Sequence, residues 1–426
     1  MKKIIRLFIF YIFNFFICLY AQPEIIEMNS GVNTELTSSS NCIWTFGHGW
    51  ACGVNGTVIR TSAYNNWINV SGNGIPANVT LDNICATDTL LALTAGHLDS
   101  NTWVWKTTNG GQSWFQVFNQ PHGRINAIWM KSLITGFMVG NPVGGRWSLW
   151  KTYNAGTNWD STGIYLPQSG NESGWPNSLS IQSVYGNDSN RTWFGTNNYR
   201  IYYSTNYGQS WIAQSTVPEQ NIYCMISGVS LIYAGGSNYL LKSTNFGSNW
   251  TIDSVGGTGD ITGITQCVWS MVLCRGNQLY ANSFMSYWHP VFTAPAGVYS
   301  YVDNHYIGNG FYHFAVRSNG GITSLWEGEG VQKISSEIPN GFKLSQNYPN
   351  PFNPKSIIKF QIAKANEIKL VIFDILGREI ATLVNKPLSP GTYEVEWDGT
   401  NYPSGVYFYK LITSDFFETR KMVLIK

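Results

Sequence analysis

From Gln22 onward, apolar and polar residues alternate in short runs separated by clusters of Gly, Asn, Ser and Pro. None of these runs approaches the roughly 20 apolar residues that span a bilayer. A period of two in short runs predicts antiparallel strands joined by tight turns. In one well-marked stretch the pattern predicts a four-stranded unit, with an inner strand at 83–86, a second at 90–95, a third at 104–106 and an outermost at 114–117. A later set of alternating runs, at 356–362, 368–374, 392–397, 405–413 and 416–425, predicts a separate small antiparallel sandwich. Only the start breaks the pattern. Met1, Lys2, Lys3 and Arg6 are followed by a nearly all-apolar stretch over 7–19, and Leu19-Tyr20-Ala21 offers a cleavage point, so 1–21 read as a secretory signal peptide. Asn14 and the shortness of the run disfavour a retained anchor, and Ile17 disfavours lipid attachment at Cys18.

Internal similarity then organises the chain. Four segments share one spacing: Thr107-Thr-Asn-Gly-Gly-Gln-Ser-Trp114, Thr152-Tyr-Asn-Ala-Gly-Thr-Asn-Trp159, Ser204-Thr-Asn-Tyr-Gly-Gln-Ser-Trp211 and Ser243-Thr-Asn-Phe-Gly-Ser-Asn-Trp250. Each reads hydroxyl, any, Asn, any, Gly, any, any, Trp. Such a segment suits a hairpin turn in which Asn109, Asn154, Asn206 and Asn245 bind backbone amides, Gly111, Gly156, Gly208 and Gly247 take a conformation closed to other residues, and the Trp fills the space between strands. Looser copies end at Trp67 and Trp288, and Trp326 follows Ser318-Asn-Gly-Gly321. The seven tryptophans are spaced by 38 to 52 residues, an interval that suits four-stranded propeller blades.

The repeated segment resembles the Asp-box, or BNR, repeat of sialidases, sortilin-type receptors, xyloglucan hydrolases and photosystem II assembly-factor-like proteins, with Asn in place of the usual Asp. The resemblance implies that the box lies in the turn between the third and outermost strands of a blade, away from the ligand face, and that its role is structural. The expected fold is all-β: a seven-bladed β-propeller over 22–334, with six blades as the fallback, followed by a small Ig-like antiparallel β-sandwich.

Six cysteines remain after the signal. Cys42 and Cys52 lie symmetrically about Gly47, and Cys267 and Cys274 about Ser270-Met271, so each pair is expected to face across the first two strands of its blade and form a disulfide. Cys85 and Cys224 fall at one repeat position in separate blades and are expected as buried thiols.

After Trp326 the composition shifts. Glu327-Gly-Glu-Gly330 and the segment 335–341 read as a linker, with 342–426 the second domain. Asn347-Tyr-Pro-Asn-Pro-Phe-Asn-Pro354, Phe373-Asp-Ile-Leu-Gly-Arg378, Pro403-Ser-Gly-Val-Tyr407 and the closing Lys421-Met-Val-Leu-Ile-Lys426 together resemble a type A sorting domain of type IX secretion. That likeness singles out Pro349, Asn350, Pro351, Phe352, Asn353, Pro354, Gly405, Tyr407, Lys421 and Lys426 as the sorting signal. It implies the type IX secretion translocon as a partner and delivery through the periplasm to the outer-membrane surface or beyond.

Composition narrows the chemistry. Charged residues are 12% of the chain, with 26 basic and 24 acidic residues and no long run of either sign, so nucleic acid is not an expected partner. Arginines at 60, 124, 146, 191, 200, 275 and 317 are scattered, with Arg60 and Arg200 expected where a third strand meets its box turn. Asp82, Asp99, Asp188, Asp260 and Asp303 show no acid–base spacing, and the six histidines no metal-ligand spacing, so no catalytic residue, metal or cofactor is assigned. The surplus is aromatic: 18 Trp and 24 Tyr. Trp129, Trp147 and Trp175 are candidate stacking platforms, with the insert 161–176 as a candidate binding rim. The sequence thus reads as an exported propeller binding a surface glycan or protein without catalysis. The alternative is a polysaccharide-active hydrolase, sialidase-like or xyloglucanase-like.

Overall fold

A computed structural model describes residues 24–42, 48–63, 66–181, 190–216, 219–227, 231–266, 270–283, 287–306, 310–328, 331–335, 337–399 and 402–426. The expected signal peptide, 1–21, lies outside them. The described residues contain strands and turns and no helix, and they divide into two units that part between Trp326 and Glu327.

The larger unit, Glu24–Trp326, contains seven antiparallel sheets among the described residues. Their first strands are Leu36–Asn41, Thr80–Ala86, Ile125–Met130, Gly174–Ile181, Ile222–Ser227, Ile261–Gln266 and Tyr299–Tyr306. Each of these inner strands packs against the next, and the last packs against the first. The second sheet shows how the sequence builds one: Thr80–Ala86, Ala92–Leu98, Asn101–Thr107 and Phe115–Pro121 pair in order. Its first three strands are mostly buried, whereas the fourth is open to solvent, as the outer edge of a radial sheet must be.

Large side chains fill the wedges between sheets. Trp50, Leu81, Ile84, Trp105 and Trp114 pack between the first and second, and Phe137, Trp147, Phe194 and Tyr202 between the third and fourth. The last sheet takes its fourth strand from the start of the chain. Glu24–Met28 pairs antiparallel with Ile322–Gly328, setting Glu24 opposite Trp326 and Met28 opposite Ile322. Trp326 therefore lies within a third strand, and Ser318-Asn-Gly-Gly321 joins the second and third strands, so neither forms the seventh box position expected from spacing. Glu27 reinforces the closure by accepting from Arg317 and from Thr323.

The inner strands of neighbouring sheets are joined by side chains. Ser38 and Ser40 Oγ accept from the backbone N–H of Ile84 and Ala86, Asn83 Oδ1 accepts from Ile128 N, Thr37 Oγ1 donates to Leu81 O, and Thr262 Oγ1 donates to Tyr299 O. Every inner strand carries a register shift near its start, bracketed by Leu36/Ser38, Leu81/Asn83, Ile125/Ala127, Gly174/Leu179, Ile222/Cys224, Ile261/Gly263 and Tyr299/Tyr301. These bulges lie at one end of the ring, and the four hydroxyl–Asn–Gly–Trp turns lie at the other.

The disulfide expectation is corrected. Asn41 faces Gly49, so the first hairpin is centred on residue 45 rather than on Gly47; Cys42 meets His48, and Cys52 faces Ser38. Ser270 and Met271 begin a strand instead of forming a turn, and Cys274 faces Gly263. Cys267 lies outside the described residues, and no disulfide occurs among those described. Cys52, Cys85 and Cys274 are buried thiols whose pKa burial pushes up to about 12, and Cys224 is also buried, its thiol donating to Ile261 O.

The smaller unit is a sandwich. One sheet has the order Gln332–Ser335, Gly391–Asp398, Lys355–Ile362, Lys343–Leu344; the other has Glu379–Leu388, Asn366–Phe373, Gly405–Ile412, Phe417–Leu424. Lys355–Ile362 alternates exposed and buried positions along its length, and its buried Ile358 and Phe360 join Trp397, Leu370, Tyr409 and Leu424 in one core. The larger unit ends at Trp326 rather than at 334, and Gln332–Ser335, expected at the end of the propeller and the start of the linker, pairs with Gly391–Asp398.

Two outcomes follow from this geometry. Gly156 has φ +76°, and a Cβ there would meet Leu93 Cδ1 of the preceding sheet at 2.6 Å. Gly156→Ala should cost about 1–3 kcal/mol in denaturant unfolding. Under non-reducing conditions, an alkylating reagent should leave Cys52, Cys85 and Cys274 unmodified in the native protein and label all three after unfolding, as mass spectrometry would read out.

Candidate functional site

At the bulged end, three elements converge on one carboxylate. Asp82 occupies the bulge of the second inner strand, and its side chain is only 1% exposed. His97, at the end of Ala92–Leu98, places Nδ1 2.7 Å from Asp82 Oδ2. Arg124, just before Ile125–Met130, places Nη2 2.6 Å from Oδ1. The carboxylate is sealed while the imidazole and guanidinium remain partly open, at 23% and 37% exposure. A buried acid is thus neutralised by two cationic or donor groups whose outer faces can meet a ligand. Arg124 Nε is buried without a hydrogen-bond partner.

Beside this cluster the fourth inner strand loops inward over 175–178. Asn177 stands at φ +63° and is buried, and its Oδ1 accepts from Ser38 Oγ at 2.9 Å and from Asn83 Nδ2 at 2.6 Å. A residue of the fourth sheet therefore ties the first and second sheets together across the ring. Trp175, in the same loop, is half-buried and meets the Tyr223 ring edge-on at 4.6 Å.

The opposite end carries the repeated turns, and all four have one geometry. The leading hydroxyl (Thr107, Thr152, Ser204 or Ser243) donates to the Asn Oδ1 at 3.0 Å and accepts from the Gly N–H at 2.8–2.9 Å. Asn109, Asn154, Asn206 and Asn245 also accept from the N–H four residues on. Gly111, Gly156 and Gly208 abut Val70, Leu93 and Phe137 of the preceding sheet. Trp114 is buried, and Trp159, Trp211 and Trp250 are half-buried. These residues are consumed in holding turns against neighbouring sheets.

Glu172 and three of the arginines are committed in similar ways. Glu172 is fully buried, with Oε1 2.7 Å from Arg200 Nη1 and Oε2 accepting from Tyr202 O–H at 2.6 Å. A Tyr beside a Glu is the pairing a sialidase nucleophile requires, but Tyr202 is packed between Trp147 and Phe194, and burial raises its pKa, so the phenol stays protonated. Arg200 begins the third strand of its sheet, at the end opposite the turn where the sequence suggested it. Arg60 Nε donates to Gly110 O in the turn of the next sheet, and Arg275 donates to the carbonyls of Gly259, Val255, Gly256 and Asn238.

Of the aromatic platforms, Trp147 is buried 4.7 Å from Phe194 and cannot offer a face, and Trp129 is half-buried against the same cluster. Trp147 also stands at the bulged end, with its ring against Gly174, so of Trp147 and Trp175 the latter is the one there that is partly open. The insert 161–176 is also less free than expected: Ile164 and Leu166 are buried, Trp147 N donates to Leu166 O, and Glu172 anchors its far end.

In the smaller unit, Phe352 and Tyr407 are core residues, and the Tyr407 hydroxyl donates to Pro403 O. Pro349 O accepts from Asn347 and Ser356, and Pro354 O accepts from Gly399 N. Asn350 Oδ1 accepts from Val423 N, and Phe352 exchanges backbone bonds with Val423 and Ile425. Pro351, Asn353 and Lys421 are exposed, Lys426 N donates to Ser404 Oγ, and Gly405 opens the strand Gly405–Ile412. The proline-rich segment is thereby laid along the last strand of the chain.

Residues 346–426 match the family described as "Secretion system C-terminal sorting domain". This tail is a type IX sorting domain. It directs the chain to the cell surface or the extracellular space, and among the described residues no helix is long and apolar enough to cross a membrane. No curated protein matches the chain in sequence. Among solved structures, YCF48 from Cyanidioschyzon merolae aligns at a TM-score of 0.55 and 14% identity, over 70% of this chain and 98% of its own. YCF48 bound to D1 peptide aligns at 0.52 and 14%, over 72% and 95%. The GH74 xyloglucanase from Xanthomonas campestris aligns at 0.53 and 12%, over 80% of this chain and 59% of its own. At these identities the likeness is one of fold: the larger unit is a β-propeller.

Proposed function

We propose that the chain is a seven-bladed Asp-box propeller that binds a glycan or protein at the cell surface without catalysis, using the bulged end as its ligand face. One observation carries this reading. The buried carboxylates described in the ring are engaged by basic side chains: Asp82 by His97 and Arg124, and Glu172 by Arg200. A glycosidase needs two carboxyl groups facing one another across an open pocket, about 5 to 9.5 Å apart, with one able to give a proton. A buried carboxylate whose oxygens are taken up in this way is closed to substrate and serves as a frame for the arginine, which then presents its outer edge to an anionic or hydroxylated ligand. Trp175 and Tyr223 supply apolar surface at the same end of the ring. A structural neighbour bound to a peptide is consistent with this use of the fold.

The second reading, a polysaccharide-active hydrolase, draws on the likeness to the xyloglucanase, of which this chain covers 59%. A glycan array with a hydrolysis readout, run beside a surface-protein pulldown, separates the two. Capture without cleavage, weakened by Arg124→Ala, is the expected result. Blank results in both assays would remove the binding reading, and released sugar would favour the hydrolase.

The sorting signal is proposed to need the last strand intact. Met422 and Leu424 are core residues, and the 350–352 segment bonds along that strand. Deleting 421–426 should leave the protein in the periplasm on cell fractionation, and normal surface delivery of the truncated chain would overturn this.

A further inference from the structure

A departure from the repeat opens a second site, at the turn end of the ring. In the second sheet, Lys106 precedes the turn hydroxyl Thr107, and its Nζ donates at 2.8 Å to Thr157 Oγ1 in the turn of the third sheet. Lys151 precedes Thr152 in the same way, and the residue of the fourth sheet equivalent to Thr157 is Gln209. No such bond joins Lys151 to Gln209. The third sheet has only three registered strands, and the chain that follows meets the third of them at two isolated bridges, Lys151 with Asp160 and Arg146 with Pro167. A pocket of about 220 Å³ remains, lined by Lys151, Tyr153, Asp160, Thr162, Ile164 and Gln209 among others.

Its lysine is poised rather than paired. Lys151 is 7% exposed, yet its ammonium has no hydrogen bond or ion pair and lies only 5.2 Å from the centre of the Tyr207 ring, which Lys131 also approaches, at 5.1 Å. Asp160 stands opposite Lys151 on the backbone, but its carboxylate turns to accept from Thr162 N and Oγ1, bonds that hold its pKa below the usual range and keep it ionised. Burial lowers the Lys151 pKa, so an anion beside it would relieve an existing cost. Tyr153 stands 64% exposed at the rim.

We propose that this pocket binds one acidic sugar residue, a hexuronate, with Lys151 on the carboxylate, Asp160 and Gln209 on ring hydroxyls and Tyr153 against the apolar face of the ring. The volume is below the roughly 300 Å³ where drug-sized sites begin, which suits one sugar ring. An exposed aromatic face beside a carboxylate and an amide suits a polyhydroxylated ring better than a simple anion. The site lies at the other end of the ring from Arg124 and does not depend on the reading of that end.

Isothermal titration of the purified full-length chain with methyl β-glucuronide, methyl α-galacturonide, methyl β-glucoside and glutarate tests it. At least one uronide should bind at least tenfold more tightly than the glucoside, and Lys151→Met should remove that preference, as loss of one charge-assisted hydrogen bond predicts at about tenfold or more. Tyr153→Ala, at an exposed position that leaves folding unaffected, should weaken uronide binding while Arg124→Ala should not. Absence of uronide binding, unchanged binding in both pocket variants, or glutarate binding as tightly as the uronides would overturn the proposal.

Discussion

A ring of radial sheets has a problem that a single sheet does not: the inner strands lie side by side without forming a ladder, so their inward edges carry backbone groups that no neighbouring strand satisfies. An unpaired buried amide or carbonyl costs about 1–3 kcal/mol, and the cost recurs around the ring. This chain meets it with polar side chains at the inner strands. Ser38, Ser40 and Asn83 accept amides of the next strand, and Thr37 and Thr262 donate to its carbonyls. The bulges near the strand starts serve the same end, since an extra residue turns a side chain toward the neighbouring sheet. Asp82 is one such bulge residue, so the buried carboxylate at the candidate ligand face is a structural stitch whose partners happen to open outward.

The two ends of the ring solve the contact problem differently, and the difference assigns their roles. At the turn end, backbone fits against side chain: turn glycines abut Val70, Leu93 and Phe137, leaving no room for a Cβ. Such contacts are local, repeat with the sequence and have little chemistry to spare. At the bulged end, polar side chains such as Arg124 and Asn177 reach between sheets. The third sheet is the exception at the turn end, where Gln209 stands in the place of Thr157 and Lys151 lacks the hydrogen bond that Lys106 keeps.

Which parts of this were legible in the sequence follows from the range of the interactions. The hydroxyl–Asn–Gly–Trp turns were legible because every bond in them spans two or four residues, so spacing encodes geometry directly. The second sheet's strands were placed to within a few residues for the same reason, and the sorting domain through motifs that lie close together. The Asp82–His97–Arg124 cluster was not legible, because its members come from two strands and the loop before a third and meet only once the sheets are stacked. Asn177 was hidden likewise: nothing local announces that a strand residue will reach Ser38 of the first sheet. The cysteine pairs failed on register alone, since moving a hairpin's centre by two residues separates partners placed symmetrically about it. Glu379–Leu388 was missed as a strand because its two shifts of register against Asn366–Phe373 break the alternation.

Closure sets the order in which these contacts can form. Glu24 must find Trp326, and Met28 must find Ile322, before the last sheet is complete. The wedge of Met28, Leu36, Ile59, Trp67, Phe314 and Ile322 can pack only then. Loop-closure entropy is lost before such distant contacts return any stability, so the ring is slow to complete by comparison with its individual hairpins. Most pairings of the smaller unit join strands nearer in sequence, as between Gly405–Ile412 and Phe417–Leu424. A sorting domain built from local pairings can present its last strand whether or not the ring has closed. The distant seam between Glu24–Met28 and Ile322–Gly328 is therefore where the ring depends most on every sheet before it being in place.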